Sequence, residues 1–129
     1  MILTFTLPGQ VKAGKNHVQV GRGGHRYPLP AWAAWRNEMV IRIRAVMSMY
    51  KIKYPITVPC KCTLVYTMAN RHKRDLPGLR DSLYHCFEKA GLIADDSLFV
   101  AEAGDVRVLV SKEHAGVWIQ IETEFVRTA

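Results

Sequence analysis

The sequence predicts a single α+β domain, residues 1–129, in which one mixed or antiparallel sheet packs against two helices. The chain has 129 residues, close to the commonest size for a domain with one core. Apolar residues at alternate positions predict strands, and two stretches with apolar residues at helical spacing predict helices. Their order along the chain is strand, loop, helix, strand, helix, strand, strand, which describes an α+β domain.

The N-terminal third contains a strand, a glycine-rich segment and a helix. Residues 2–7 alternate in polarity and are β-prone, and the following Pro-Gly pair ends the strand. Residues 10–30 hold four basic residues among four glycines and predict a mobile loop or loose hairpin. Pro30 then begins an amphipathic helix that reaches about Tyr50. Its apolar stripe consists of Trp32, Trp35, Met39, Ile43, Val46 and Met47.

Two tryptophans in this stripe admit two interpretations. Trp32 and Trp35 have the aromatic faces that stack on unpaired bases in single-stranded nucleic acid. Their helical spacing with Met39 favours packing in the core or at a dimer interface instead.

The second half of the chain begins with a strand over residues 56–67, whose early Pro59 suits an edge or a strand start. A second helix starts at Asp75 or Leu76 and stops at Gly91. Its apolar stripe is Leu79, Leu83, Phe87 and Ala90. Two β-rich runs, 99–110 and 117–126, flank a turn and predict a hairpin that ends the chain.

The charge of the chain predicts a polyanionic partner. The formal net charge is +7 and the pI is about 9.6, a balance typical of proteins that bind nucleic acid. Residues 1–74 contain 13 basic side chains and one acidic side chain, whereas residues 75–129 contain 5 and 10. This asymmetry indicates one surface for a phosphate backbone and another that concentrates carboxylates. The alternative is an uneven but merely solvated surface charge.

The sequence predicts a cytoplasmic protein without a membrane partner. No stretch approaches the roughly 18 apolar residues of a membrane span, and the alternating N-terminus lacks the continuous apolar run of a signal peptide. Three cysteines cannot all pair, and Cys60 and Cys62 lie on one face of a predicted strand. Reduced, buried thiols are therefore expected. The alternative is a zinc site of Cys60, Cys62, His72 and His85, which no zinc-finger spacing supports.

Four carboxylates invite a chemical interpretation. Asp75 begins the second helix, Asp81 lies within it, and the pair Asp95-Asp96 follows its end. Each alone is common as a helix cap or turn residue. Beside the basic tetrad 71–74, however, they match the needs of phosphodiester cleavage: oxygen ligands for Mg²⁺, an activated water and cations that hold the backbone.

The same residues resemble a known family. The run His72-Lys73-Arg74-Asp75-Leu76, the helix end Lys89-Ala90-Gly91 and the pair Asp95-Asp96 before a strand are similar to the RusA family of Holliday-junction resolvases. The resemblance spans nearly the whole chain and is strongest over residues 71–100.

This resemblance implies a homodimeric α+β nuclease of a bacterium, prophage or phage, acting in DNA recombination and repair. Such an enzyme introduces paired nicks across four-way DNA junctions with Mg²⁺ or Mn²⁺. Asp75 and Asp96 take the places of essential metal-binding aspartates, and Asp95 takes the place of a neighbouring acid. The resemblance therefore implies a metal held by Asp75, Asp95 and Asp96.

The chain departs from the family pattern at two positions. The family usually shows Asp-hydrophobic-Asp-Asn, whereas Pro77 and Gly78 follow Asp75-Leu76 here, and Asp81 stands where the family usually has lysine. Positions 77 and 81 lie on one helix face, one turn apart. Asp81 is accordingly expected to replace the missing carboxylate as metal ligand or catalytic base, or else to be an exposed helix residue.

The basic residues complete the prediction. Arg71, Lys73 and Arg74 adjoin the predicted site, and Lys15, Arg22 and Arg26 lie in the glycine-rich segment; all six are expected to contact DNA phosphates. The sequence thus predicts a metal-dependent endonuclease for branched DNA. The alternatives are a non-catalytic DNA- or RNA-binding protein on the same scaffold and a plain structural protein.

Overall fold

The computed structural model describes residues 1–13, 18–20, 22–24, 26–28, 30–70, 75–102 and 107–124. The helices in these ranges are α1 (Pro30–Met49) and α2 (Leu76–Ala90). The strands are β1 (Ile2–Pro8), β2 (Val18–Val20), β3 (Arg26–Pro28), β4 (Cys60–Met68), β5 (Phe99–Glu102), β6 (Arg107–Val110) and β7 (Gly116–Glu122). Short 3-10 turns occupy Arg22–Gly24 and Asp96–Leu98. None of the helices in the described ranges is long and apolar enough to cross a membrane.

Five strands form one mixed sheet around β4. β7 lies between β1 and β4 and pairs with both in antiparallel register. β5 and β6 pair in parallel with the other edge of β4, β5 at its start and β6 at its end. The predicted α+β architecture, with one mixed sheet and two helices, is confirmed. β2 and β3 form a separate antiparallel pair, so the expected hairpin within residues 10–30 is present.

One core joins the sheet to both helices. Alternate residues of β4 are buried from Cys60 to Met68, as period-two patterning requires. The helices contribute Trp32, Trp35, Met39, Val40 and Ile43 from α1 and Leu79, Ser82, Leu83, Tyr84, Cys86, Phe87 and Ala90 from α2. Phe87 is fully buried and makes edge contacts with Phe5 and Phe99, each at a ring-centroid distance of 6.2 Å.

Burial also decides the roles of the tryptophans and cysteines. Trp32 and Trp35 are only 4% and 7% exposed, so they pack in the core rather than stacking on bases. The Trp32 indole N–H donates to the buried Ser82 hydroxyl at 3.3 Å. All three cysteines are buried and none of them forms a disulfide, as expected. Burial raises the pKa of Cys86 to about 12, against a small lowering by Arg36, which keeps that thiol protonated.

The predicted C-terminal hairpin is wrong. The run 99–110 is divided into β5 and β6, and neither pairs with β7. β7 instead enters the sheet between β1 and β4, where both of its edges are hydrogen-bonded. The predicted strand 56–67 also began too early, because Ile56 makes only an isolated bridge with Ile93 and β4 starts after Pro59.

Truncation of Phe87 tests this core. Phe87→Ala removes a fully buried ring and is expected to lower the free energy of unfolding by about 3–5 kcal/mol. Tyr54→Ala is the matched control, because Tyr54 is 82% exposed and should change stability by less than about 0.5 kcal/mol. Denaturant unfolding followed by circular dichroism measures both. Similar small losses would show that Phe87 is not a core residue.

Candidate metal centre

The start of α2 fixes the Asp75 carboxylate. Asp75 is the N-cap residue, with extended backbone angles of φ −82° and ψ 90°, and its Oδ1 accepts a hydrogen bond from the Gly78 N–H at 3.2 Å. A Cβ at position 78 would meet Asp75 Oδ2 at 2.6 Å, closer than such atoms approach in folded proteins. The absence of a side chain at Gly78 therefore lets the carboxylate lie over the first turn of the helix.

The end of α2 turns the chain back toward the acidic pair. Gly91 adopts the left-handed conformation, with φ 80°, which glycine allows without strain. Its N–H donates to Glu88 O at 3.0 Å, and the Leu92 N–H donates to Phe87 O at 2.9 Å. The next residues are held by Ile56, whose N–H donates to Leu92 O and whose carbonyl accepts from Ala94 N–H.

Three carboxylates converge beyond this turn. Asp95 caps the 3-10 turn Asp96–Leu98, its Oδ1 accepting from Ser97 N–H at 2.8 Å. The Asp96 backbone N–H donates to Glu88 Oε1 at 2.8 Å. As a result, Glu88, Asp95 and Asp96 each place a carboxylate oxygen within 4.8 Å of the other two. We call these three exposed residues the acidic cluster.

The electrostatics of the acidic cluster suit a hard divalent cation. The hydrogen bond from Ser97 N–H lowers the pKa of Asp95, so Asp95 is ionised at neutral pH. In the described part of the chain, no lysine or arginine forms an ion pair with the cluster. Mg²⁺ prefers oxygen ligands, and the acidic cluster offers three carboxylate oxygens within 4.8 Å of one another. The donor set therefore fits Mg²⁺.

The structure brings together only part of the predicted carboxylate set. Asp95 and Asp96 meet in the acidic cluster, while Asp75 and Asp81 do not join it. Thirteen helical steps separate Asp75 from Glu88, or roughly 20 Å along the axis at about 1.5 Å per residue. Asp81 is exposed on α2, two turns before Glu88 and on the same face. The roles of Asp75 and Asp81 in metal binding or catalysis stay predictions.

The strand register independently supports this separation. β5 starts opposite Cys60, the first residue of β4, and Asp96 lies shortly before β5. Asp75, in contrast, follows the other end of β4 at Met68. A strand of nine residues spans roughly 26 Å at about 3.3 Å per residue, which agrees with the helical estimate.

Glu88 was not among the predicted site residues. A carboxylate in the last turn of a helix is repelled by the negative end of the helix dipole. Glu88 lies in such a position, two residues before the helix ends at Ala90. That unfavourable placement is the signal in the sequence that indicates a role other than helix stabilisation.

The side chains of all six predicted phosphate contacts lie outside the part of the chain that the structure describes. This holds for Lys15, Arg71, Lys73 and Arg74 as whole residues, and for the side chains of Arg22 and Arg26. Their DNA contacts stay predictions.

Comparison with known proteins links the chain to a curated nuclease. No family model matches the chain. The chain is 32% identical, over 100 residues, to a crossover junction endodeoxyribonuclease RusA of Aquifex aeolicus (strain VF5). The aligned region covers 78% of this chain and 75% of the relative.

Substitutions at Asp75 separate its capping hydrogen bond from its charge. Asp75→Ala removes the acceptor for Gly78 N–H and is expected to destabilise the fold by about 1 kcal/mol. Asp75→Asn keeps an acceptor oxygen of nearly equal capping strength and should cost only a few tenths of a kcal/mol. Thermal unfolding of both variants provides the measurement. Equal losses would mean that the charge, acting on the helix dipole, stabilises this helix start instead.

Proposed function

The chain belongs to the RusA family of crossover junction endodeoxyribonucleases, and on this premise we propose that it is a metal-dependent endonuclease that resolves four-way DNA junctions by paired nicking. The observation that carries the proposal is the acidic cluster of Glu88, Asp95 and Asp96. Two of its members, Asp95 and Asp96, are residues for which the family resemblance implies a metal-binding role. Its setting is DNA recombination and repair in the cytoplasm of a bacterial cell, with the gene on the chromosome, a prophage or a phage.

In this proposal the acidic cluster holds Mg²⁺, or Mn²⁺ in its place. Such an ion supplies charge neutralisation for the scissile phosphate and activates water for attack. Asp95 and Asp96 contribute carboxylate oxygens on a turn tied to α2 by the bond from Asp96 N–H to Glu88. Glu88 therefore both offers a ligand oxygen and fixes the backbone that carries the other two carboxylates.

The separation of Asp75 from the acidic cluster suggests how a dimer would complete the site. Along one α2 helix the two lie roughly 20 Å apart, too far to share one ion. We propose a homodimer in which the start of α2 from one protomer meets the acidic cluster of the other. A two-fold axis makes any such contact reciprocal, so one interface creates two equivalent sites. Two sites are what symmetric nicking of a four-way junction requires.

Asp81 has a secondary place in this scheme. It is exposed and lies on the helix face of Glu88, about 10 Å from it along the axis. It either orients the attacking water in the assembled dimer or remains a solvated helix residue.

A second candidate function is non-catalytic binding of branched nucleic acid. The observation that favours it is the local structure at the start of α2, where Pro77 and Gly78 replace the second aspartate and the asparagine of the family pattern. The Asp75 carboxylate is also engaged in capping. In this alternative the carboxylates are dispensable and metal affinity is negligible.

Charge removal at the acidic cluster separates the two functions. Asp96→Asn and Glu88→Gln keep side-chain size, and the glutamine keeps an acceptor for Asp96 N–H. Both are expected to abolish nicking of a labelled four-way junction in Mg²⁺ and to weaken Mg²⁺ binding measured by calorimetry. Junction binding without metal should be equal or tighter, because repulsion between carboxylate and phosphate falls.

The matched control for these variants is Glu113→Gln, at an exposed turn residue outside the acidic cluster. It should leave nicking and Mg²⁺ binding unchanged. A parent that binds the junction but neither nicks it nor binds Mg²⁺ would favour the non-catalytic alternative. Normal cleavage by Asp96→Asn would instead show that the Asp96 carboxylate is not needed for nicking.

Mixing two inactive variants tests the composite site. Asp75→Asn and Asp96→Asn homodimers should each be inactive in the proposed arrangement. A heterodimer of the two contains one site with both native aspartates, so the mixture should regain single-strand nicking at one site per dimer. Denaturing gels with one labelled junction strand at a time detect this activity. No recovery after verified subunit exchange would mean that each site draws its residues from one chain.

A further inference from the structure

A basic groove lies at the C-terminal end of α1. It is open to solvent, has a volume of about 370 Å³ and is lined by Arg44, Met47, Ser48, Lys51, Ile52 and Lys53. Met47 and Ile52 are half-buried against the core, whereas the three cationic residues are exposed. The groove thus has an apolar floor, a hydroxyl and a rim of three positive charges.

Among the described residues, no carboxylate forms an ion pair with the rim charges. In the described ranges, the ion pairs are those of the N-terminus with Glu124 and of Arg42 with Glu38; neither involves the groove. Arg44 donates to the Lys89 carbonyl at 3.3 Å, which leaves its full positive charge. A site with three uncompensated cations raises the local concentration of anions.

Lys51 occupies a position that is poorly suited to a lysine. Its φ is 57°, in the left-handed region where a side chain costs conformational energy and glycine is preferred. The local hydrogen bonds are those of a glycine-type helix end: Lys51 N–H donates to Ser48 O at 3.1 Å, and Ile52 N–H donates to Met47 O at 2.8 Å. A strained residue that lines a groove points to a role for its side chain.

The groove and the acidic cluster lie at the same end of the molecule. Arg44 contacts the last turn of α2, one residue from Glu88. The chain leaving the groove reaches Ile56, which bridges to Ile93 shortly before Asp95. Positive charges that hold a polyanion here would therefore hold it beside the carboxylates.

We propose that this groove binds the phosphodiester backbone of a DNA duplex arm and leads the strand toward the acidic cluster. The inference rests on the proposed function and names a binding surface that the resemblance does not assign. Lysine recognises phosphate as a point charge without sequence preference. A groove built on lysines therefore suits a junction arm, where the structure of the DNA rather than its sequence defines the target.

Three substitutions at Lys51 separate binding from stability. Lys51→Gln removes the charge, Lys51→Arg keeps it, and Lys51→Gly removes both the charge and the backbone strain. Binding is measured to a labelled four-way junction at several salt concentrations without metal, with parallel thermal unfolding. Lys51→Gln and Lys51→Gly should each reduce the slope of log affinity against log salt by about 0.9, the value for one lost phosphate contact. Lys51→Arg should keep the parent slope.

The three Lys51 variants should rank differently in thermal stability than in DNA binding. Lys51→Gly is expected to raise Tm by roughly 2–4 °C, while the other two variants should match the parent. A Lys51→Gly variant that is more stable than the parent but binds the junction more weakly would show that the Lys51 side chain serves DNA binding and not stability. The double variant Lys51→Gln with Lys53→Gln should reduce the slope by about 1.8.

Several outcomes would overturn the proposal. If the glutamine variants keep the parent's slope of log affinity against log salt and still nick the junction, the groove does not bind DNA, and the proposed function is unaffected. If the parent protein neither binds nor nicks junctions, both the DNA-binding role of the groove and the proposed function are wrong. Slopes that change for duplex RNA but not for DNA would assign the groove to a different polyanion.

Discussion

The parallel pairing of β5 with β4 is the constraint on which the arrangement of this protein depends. Two parallel strands that follow one another need a crossover, and here that crossover is α2, which runs back along the whole length of β4. The helix start therefore lies near the end of β4 and the helix end near its start. Asp75 and the acidic cluster, which are close in sequence, come to lie at opposite ends of the domain.

The chemistry-bearing residues sit on the exposed ends of elements whose middles are rigid. α2 buries seven residues in the core that it shares with the sheet and α1, and its two ends are fixed by Asp75 and Gly91. The hydrogen bond from Asp96 N–H to Glu88 ties the acidic cluster to α2, and the bond from Ser97 N–H to Asp95 fixes the turn that carries the two aspartates. A packed core that positions groups at its rim is the usual way a small domain holds reactive residues in place.

The basic and acidic halves of the sequence contribute residues to the same end of the folded domain. The basic N-terminal half supplies Arg44, Lys51 and Lys53, and the acidic C-terminal half supplies the acidic cluster. The bond from Arg44 to Lys89 O and the bridge of Ile56 with Ile93 bring these two regions to the same end of the domain. Exposed cations and the carboxylates of the acidic cluster thus lie at one end of the domain, which is the arrangement on which the proposed phosphodiester hydrolysis depends.

The sequence by itself determined the elements that depend on neighbouring residues. The capping aspartate and Gly91 defined α2, the tryptophan stripe defined the buried face of α1, and Asp95-Asp96 marked the turn that carries two of the clustered acids. Only the tertiary structure decided that β7 lies between β1 and β4, that Glu88 joins the acidic cluster and that Asp75 does not. The reason is range: caps and periodicity act within a few residues, whereas strand partners and converging carboxylates depend on hydrogen bonds between segments far apart in the chain.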